Sequence, residues 1–153
     1  MKIDLHSHSF YSDGVLSPSE VVKLASQAGC ELFSSTDHDT TEGSAEAKLE
    51  ADKLSLSLIN GVEISAFWRN MAIHILGLGI DINNDILQTG LEHNQKLRKE
   101  RAEKIALGLW RSGIKDALEK TQSFSKTEML TRTHFAQMLI SEGYCKDMKA
   151  VFR

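Results

Sequence analysis

Short apolar runs alternate with helical segments along the first half of the chain. The runs have strand length and cover residues 2–5, 32–35, 56–59 with 62–65, and 72–80. Between the first runs lie segments with helical character, at about 18–28 and 41–53. This β-loop-α alternation predicts four strand regions that run parallel and are joined by right-handed crossovers.

The first predicted helix has a clear beginning and end. Ser17 can cap the helix, Pro18 suits its first turn, and Glu20 is favourable at the positive end of the helix dipole. Gly29 is the expected stop. We therefore expect a helix that starts directly after Ser17 and ends close to Gly29.

The second half of the chain has a different pattern. Apolar residues recur at near-helical spacing and predict one long helix that ends near Gly113; they are Ile86, Leu87, Leu91, Leu97, Ile105 and Leu109. Shorter helices are expected at about 117–120, 126–143 and from 146 onward. The chain stops inside the last of these without a capping signal.

Composition and charge leave few special partners. The 153 residues are 41% hydrophobic and 25% charged, as in an ordinary globular domain, and the net charge of −3 does not favour a membrane or duplex DNA as a partner. No apolar run approaches the length that crosses a bilayer. Cys30 and Cys145 lie far apart and form no CxxC pair, so we expect reduced thiols and a cytoplasmic protein.

Histidines and carboxylates cluster at or next to the predicted strand ends. Because the ends of parallel strands open into one shared mouth, these side chains are expected to converge there. Imidazole nitrogens and carboxylate oxygens suit several first-row metal ions. The candidate ligands are His6, His8, Asp13, His38, Glu63 and His74.

The first candidates have ordinary alternatives. His6 and His8 are two residues apart, so on an extended segment they leave the same face and can hold one ion. They could equally be a pair of solvated loop histidines. Asp13 precedes Gly14 and could be a common turn aspartate.

The remaining candidates are more informative. Glu63 interrupts an apolar strand, where a buried carboxylate needs a partner such as a metal. His74 also interrupts an apolar run, although a lone core histidine would more often bond to the backbone. His38 could belong to a polar helix start, and Asp37 or Asp39 could orient its imidazole. Six such residues together favour the metal site.

A second group of residues suits phosphate binding. Arg98 and Arg101 are three apart within the charged run 96–101, so they share a helix face and can grip a phosphate. A solvated face is the ordinary alternative for such a run. Arg132 and His134 begin an amphipathic segment and offer another cation and a hydrogen-bond donor.

Other catalytic patterns are missing from the sequence. It contains no GxSxG elbow, Walker loop or Rossmann glycine fingerprint, so a serine nucleophile or a dinucleotide cofactor is unsupported. We expect Trp68 and Trp110 to pack rather than to stack on bases.

An ordered set of motifs resembles the polymerase and histidinol phosphatase (PHP) superfamily. Within it, the chain looks like the branch that dephosphorylates 3′,5′-bisphosphonucleosides and trims short RNA from the 5′ end. The motifs are His6-x-His8, Tyr11-Ser12-Asp13-Gly14, Thr36-Asp37-His38-Asp39-Thr40, Gly61-Val62-Glu63-Ile64-Ser65 and Ile73-His74-Ile75-Leu76-Gly77, with Arg98-x-x-Arg101-Ala102, Arg132-x-His134-Phe135-Ala136 and Gly143-Tyr144-x-Lys146-Asp147 further on.

The resemblance implies an α/β fold built as the N-terminal part of a distorted (β/α)7 TIM-like barrel followed by a helical insertion. Residues 1–82 would be the metal-binding part of the barrel and 83–153 the substrate-binding insertion. Full members continue through an Ala-His-Pro strand end and a closing Asp-x-His pair, which this sequence lacks. We therefore expect a fragment without the C-terminal part of the barrel.

The resemblance also implies roles for the candidate residues. A complete site holds three divalent ions, expected to be Mn²⁺, with Zn²⁺ or Fe²⁺ as alternatives. His6, His8 and Glu63 would hold one ion, Glu63 and His74 a second, and Asp13 and His38 a third. Catalytic roles are implied for His38 and Glu63. Contacts to substrate phosphate are implied for Arg98, Arg101, Arg132 and His134.

The implied activity is metal-dependent hydrolysis of a phosphoric ester. The expected substrates are a phosphorylated nucleotide, such as a 3′,5′-bisphosphonucleoside, or the 5′ end of a short RNA. Truncation is expected to impair that activity. A catalytically inactive metal-binding remnant is one alternative, and a histidinol-phosphatase-like enzyme or a polymerase-linked proofreading nuclease is another.

Overall fold

The computed structural model describes residues 1–152 as a mixed α/β chain with two compact units. The first unit is Met1–Gln95 and the second begins at Lys96. The division falls within the long helix α3, Asp85–Arg111. The boundary expected from the sequence, at residue 82, lies just before this helix and stays a prediction.

The first unit contains a small parallel sheet of three strands. Its strands are β1 (Ile3–Asp4), β2 (Leu32–Phe33) and β3 (Ser57–Leu58), paired in that order. Helices α1 (Pro18–Gln27) and α2 (Ser44–Lys53) lie between them in the chain. The predicted parallel pairing is confirmed for these three strands.

Helix α1 begins and ends where its sequence signals place it. The hydroxyl of Ser17 accepts from the backbone N–H of Glu20, and the Glu20 carboxylate accepts from the Ser17 N–H. Gly29 follows the helix with a φ of +78°, which glycine adopts without a steric penalty. The apolar face of α1 packs with β2 and α2 in one buried cluster, formed by Val22, Cys30, Phe33, Ala47, Ala51 and Leu56.

The next two strands form an antiparallel hairpin, which corrects the all-parallel expectation. Strand β4 (Gly61–Trp68) pairs along its whole length with β5 (Met71–Leu78). The two residues between them, Arg69 and Asn70, both have positive φ, as the two-residue turn of a tight hairpin requires. Two residues are too few for a crossover between parallel strands.

Several apolar side chains of the hairpin are exposed. They include Phe67, Trp68, Met71, Ile75 and Leu78. The packing role predicted for Trp68 and Trp110 is therefore wrong, since each residue is about 60% exposed. The guanidinium of Arg69 lies 5.6 Å from the centre of the Trp68 ring.

The second unit is helical. It contains the end of α3, then α4 (Ala117–Gln122), α5 (Arg132–Ser141) and α6 (Met148–Val151). The long helix and the three shorter ones are confirmed, but the helix expected from residue 126 begins at Arg132, because the Thr131 hydroxyl caps it there by accepting from the His134 N–H. Their core is a separate buried cluster of Ala102, Ala117, Leu130, Phe135, Met138 and Leu139. Across residues 1–152, no helix combines the length and apolar character needed to cross a membrane.

Candidate metal centre

Glu63 and His38 are neighbours because the chain after β2 pairs with the beginning of β4. The backbone N–H of Glu63 donates to the carbonyl of Asp37 at 3.1 Å, and the N–H of Asp39 donates to the carbonyl of Glu63 at 3.0 Å. This parallel bridge places His38 directly beside Glu63. Glu63 is 6% exposed, as the apolar sequence around it predicts.

His74 reaches the same carboxylate from the other strand of the hairpin. It lies opposite Ser65, and Ser65 points to the same face as Glu63 because strand side chains alternate. A diagonal pair of this kind is within reach of long side chains. His74 Nδ1 accordingly lies 2.7 Å from Glu63 Oε1.

The position of His74 corrects the reasoning about strand ends. His74 stands in the middle of β5, and Glu63 is the third residue of β4. These two donors meet on one face of an antiparallel hairpin, whereas His6, His8 and His38 follow the short parallel strands β1 and β2. The convergence is as expected, but only part of it arises from parallel strand ends.

His6 and His8 approach Glu63 from the segment after β1. His6 Nε2 lies 2.8 Å and His8 Nε2 3.1 Å from Glu63 Oε2. His38 Nδ1 lies 3.6 Å from the same oxygen. The rings of His8 and His38 are stacked with centroids 4.7 Å apart. Four imidazoles therefore surround one carboxylate.

Asp13 faces the opposite side of two of these rings. Its Oδ1 lies 3.7 Å from His8 Nδ1, and its Oδ2 lies 3.9 Å from His38 Nε2. The loop that carries Asp13 is compact, since the N–H groups of Ser12 and Gly14 both donate to the carbonyl of Ser9. This turn brings Asp13 back toward His8.

The six donors fit bound divalent ions. Their atoms form three groups in which all donors lie within 4.8 Å of one another; the groups are His6 with His8 and Glu63, His8 with Asp13 and His38, and His38 with Glu63 and His74. Ligand bonds of about 2.1 Å at tetrahedral or octahedral angles put neighbouring donors about 3.0–3.4 Å apart. The contacts around Glu63 lie close to this spacing.

The charge of Glu63 suits the same use. Burial alone would raise the pKa of this carboxyl, but hydrogen bonds from His6 and His74 and the positive charges of His38 and His8 outweigh burial, so the pKa of Glu63 lies below its usual value. An ionised carboxylate presents both oxygens as ligands. Glu63 Oε2 faces His6 and His8, while Oε1 faces His74.

Sequence reasoning missed a buried hydrogen-bonded frame behind the donors. The sequence offers Asp37 as a partner of the His38 imidazole, but the Asp37 carboxylate instead accepts from Ser9 and Ser12. Asp39 Oδ1 accepts from the backbone N–H of Ser65 and from the amide of Asn94. The serines give no pattern of their own; the position of Ser12 directly before Asp13 is the one available signal.

The residues predicted to bind substrate lie in the second unit. Arg98 is buried, which contradicts a solvated face at that position, whereas Arg132 is exposed. His134 is buried at the start of α5, where its Nδ1 accepts from the Thr131 N–H at 3.2 Å and so helps to cap the helix. Phosphate binding by Arg98, Arg101, Arg132 and His134 stays a prediction.

Comparison with known proteins points to one family. The model of the PHP domain matches residues 4–147. The chain is 41% identical over 152 residues to a 3′,5′-nucleoside bisphosphate phosphatase of Chromobacterium violaceum, covering 99% of this chain and 53% of that protein. It is likewise 41% identical over 152 residues to the 5′-3′ exoribonuclease Rnm of Escherichia coli K12, covering 98% of this chain and 52% of that protein.

A solved structure has the same fold over the whole chain. It is described as an amidohydrolase from Chromobacterium violaceum with bound sulfate and no metal, and it is 41% identical with a TM-score of 0.95. The match covers 100% of this chain and 54% of the other. The chain thus spans about half the length of the curated relatives that it matches.

Proposed function

The chain belongs to the PHP domain family, and from that premise we propose that its donor cluster holds divalent metal ions and serves the hydrolysis of a phosphate ester. One observation carries the proposal: four imidazoles surround the buried carboxylate of Glu63, and Asp13 lies on the far side of two of them. Hydrogen bonding to Glu63 does not involve Asp13, whereas ligation of several ions uses all six donors.

Glu63 and His38 have the central tasks in this proposal. Bound divalent ions activate water near neutral pH and neutralise charge that develops on phosphoryl oxygens. Glu63 would bridge two ions, since its two oxygens face different imidazoles. His38 belongs to two of the three donor groups. The predicted catalytic roles of Glu63 and His38 are supported by these shared positions.

The names of the relatives support a phosphorylated nucleotide or a short RNA 5′ end as the substrate. One is a phosphatase of 3′,5′-nucleoside bisphosphates and another a 5′-3′ exoribonuclease. Such substrates carry a second phosphate besides the one that is cleaved. We assign its binding to the predicted set of Arg98, Arg101, Arg132 and His134, because guanidinium groups bind phosphate in a bidentate manner and an imidazole offers a further hydrogen-bond donor.

An activity assay on the purified chain tests the proposal. With Mn²⁺ present, the chain should release phosphate from a 3′,5′-bisphosphonucleoside, and Glu63→Ala should abolish the release. Glu103→Gln is the matched control, since it removes an exposed carboxylate on α3 and should retain the activity. Mn²⁺ binding without any turnover would contradict hydrolysis and favour a metal-binding remnant.

The substrate assignment has its own test. Replacing Arg98 or Arg101 with alanine should raise KM for a bisphosphonucleoside more than for a simple aryl phosphate, which has no second phosphate. Equal effects on the two substrates would contradict a role for these arginines in recognising the second phosphate.

A further inference from the structure

A chain of hydrogen bonds connects buried Asp37 to the imidazole of His8 through one serine. The Ser12 hydroxyl donates to Asp37 Oδ1 at 2.6 Å and lies 3.4 Å from His8 Nδ1. Ser12 is fully buried and Asp37 is 4% exposed. A hydroxyl has one proton, so once Ser12 donates it to the carboxylate, the hydroxyl can only accept from the ring. The hydrogen in the second contact therefore belongs to His8 Nδ1.

This direction of donation determines which nitrogen of His8 can bind a metal. An imidazole that keeps its hydrogen on Nδ1 can bind a metal only through Nε2, which gives up any hydrogen of its own when it does so. Nε2 is the atom that lies 3.1 Å from Glu63 Oε2. His8 Nδ1 is then not a ligand, even though it lies 3.7 Å from a carboxylate oxygen of Asp13.

We propose that Ser12 and Asp37 are positioning residues that fix the tautomer of His8 and direct its Nε2 to the ion beside Glu63. The inference rests on the metal-binding part of the proposed function, but not on the identity of the substrate. It places His8 in the donor group with His6 and Glu63 rather than in the group with Asp13 and His38.

Asp37 also holds the backbone that carries His8. Its carboxylate accepts from the N–H and the hydroxyl of Ser9, each at 2.7 Å. Asp37 is followed directly by His38, whose ring stacks on that of His8. One carboxylate therefore aligns the loop after β1 with the chain after β2. Replacing a hydrogen-bond partner of a metal ligand typically lowers metal affinity about 10- to 100-fold.

The test compares Ser12→Ala with a matched serine that bonds the same carboxylate. The Ser35 hydroxyl lies 3.5 Å from Asp37 Oδ2. Ser35→Ala therefore removes a hydrogen-bond partner of Asp37 but leaves the contact between Ser12 and His8 in place. ¹⁵N NMR of the Zn²⁺-loaded protein reads which nitrogen of His8 keeps its hydrogen, and chelator competition reads Mn²⁺ affinity. Ser12→Ala should lose the uniform Nδ1–H tautomer and bind Mn²⁺ about 10- to 100-fold more weakly, whereas Ser35→Ala should match the wild type.

A second variant at position 12 tests whether the hydroxyl itself matters. Ser12→Thr restores the hydroxyl and should recover affinity relative to Ser12→Ala. A merely structural role would lower the melting temperature of Ser12→Ala while leaving the tautomer and the affinity unchanged, and that result would overturn the inference. If the wild type binds neither Mn²⁺ nor Zn²⁺, the proposed function fails and this inference fails with it, whereas unchanged affinity and tautomer in Ser12→Ala overturn the inference alone.

Discussion

Replacing Gly14 with alanine should damage the metal centre through the backbone. A Cβ at Gly14 would lie 2.4 Å from the carbonyl oxygen of His8 and 2.8 Å from its carbonyl carbon, about 1 Å inside ordinary contact at 3.4 Å. The obstructing atoms are backbone, so no side-chain rotation relieves the clash. The loop must open at the residue that supplies one of the predicted ligands.

The expected cost follows from this overlap. Forcing extra atoms into a packed site costs about 1–3 kcal/mol. At about 2–4 °C per kcal/mol for a chain of this size, the melting temperature should fall by roughly 2–12 °C. Gly90→Ala is the matched control: its Cβ meets nothing within 4 Å and it lies inside α3, so we expect stabilisation of about 0.4–1 kcal/mol.

Circular dichroism melts of the metal-free variants, followed by Mn²⁺ titration, measure both effects. Gly14→Ala should melt lower than the wild type and bind Mn²⁺ more weakly, because the displaced carbonyl belongs to His8. Gly90→Ala should melt slightly higher and bind Mn²⁺ as the wild type does. A Gly14→Ala variant with unchanged stability and affinity would refute the packing argument.

Three further predictions concern charge, acid and helix capping. Glu63→Gln should lower the number of bound Mn²⁺ ions, measured by elemental analysis, more than Asp13→Asn does, because Glu63 belongs to two donor groups and Asp13 to one. Equal losses in the two variants would contradict the bridging role of Glu63. The pKa of Glu63 lies below 4.5 in the folded chain, so the contribution of this carboxylate to stability is present above pH 4.5 and is lost as the pH falls through the folded pKa. Metal-free Glu63→Gln should therefore lose less unfolding free energy than the wild type between pH 5 and pH 3. Parallel losses in the two proteins would refute this. Ser17→Ala should cost about 1 kcal/mol in urea unfolding through loss of the α1 cap, and an unchanged midpoint would show that the cap contributes nothing.

Local signals in the sequence predicted the helices well. The serine, proline and glutamate at the start of α1 specify its first turn through contacts within four residues of the chain. The apolar spacing of α3 similarly depends only on neighbouring turns. Such elements are readable because the interactions that define them are close in sequence.

The direction of the strands depended on longer-range pairing. The apolar runs of β4 and β5 look alike whether the strands run parallel or antiparallel, and the decisive detail was a loop of two residues with positive φ. Arg69-Asn70 has no glycine, so the turn chemistry that usually signals such a hairpin is weak. The sequence therefore predicts correctly that His74 and Glu63 lie together, but it places them at the ends of parallel strands instead of on one face of a hairpin.

The supporting frame of the site was the least predictable part. Histidines and carboxylates within apolar runs are conspicuous in a sequence, and the six candidates do lie together. Buried serines are not conspicuous, and the roles of Ser9 and Ser12 appear only when Asp37 is brought to them by the fold. A hydroxyl gains meaning from its partner rather than from its neighbours in the chain.

Anomalous scattering from crystals of the chain grown with Mn²⁺ tests the central claim most directly. The account predicts manganese peaks about 2.0–2.2 Å from His6 Nε2, His8 Nε2 and both oxygens of Glu63, and their loss in Glu63→Ala crystals. Folded protein that shows no peak among these donors at saturating Mn²⁺ would contradict it.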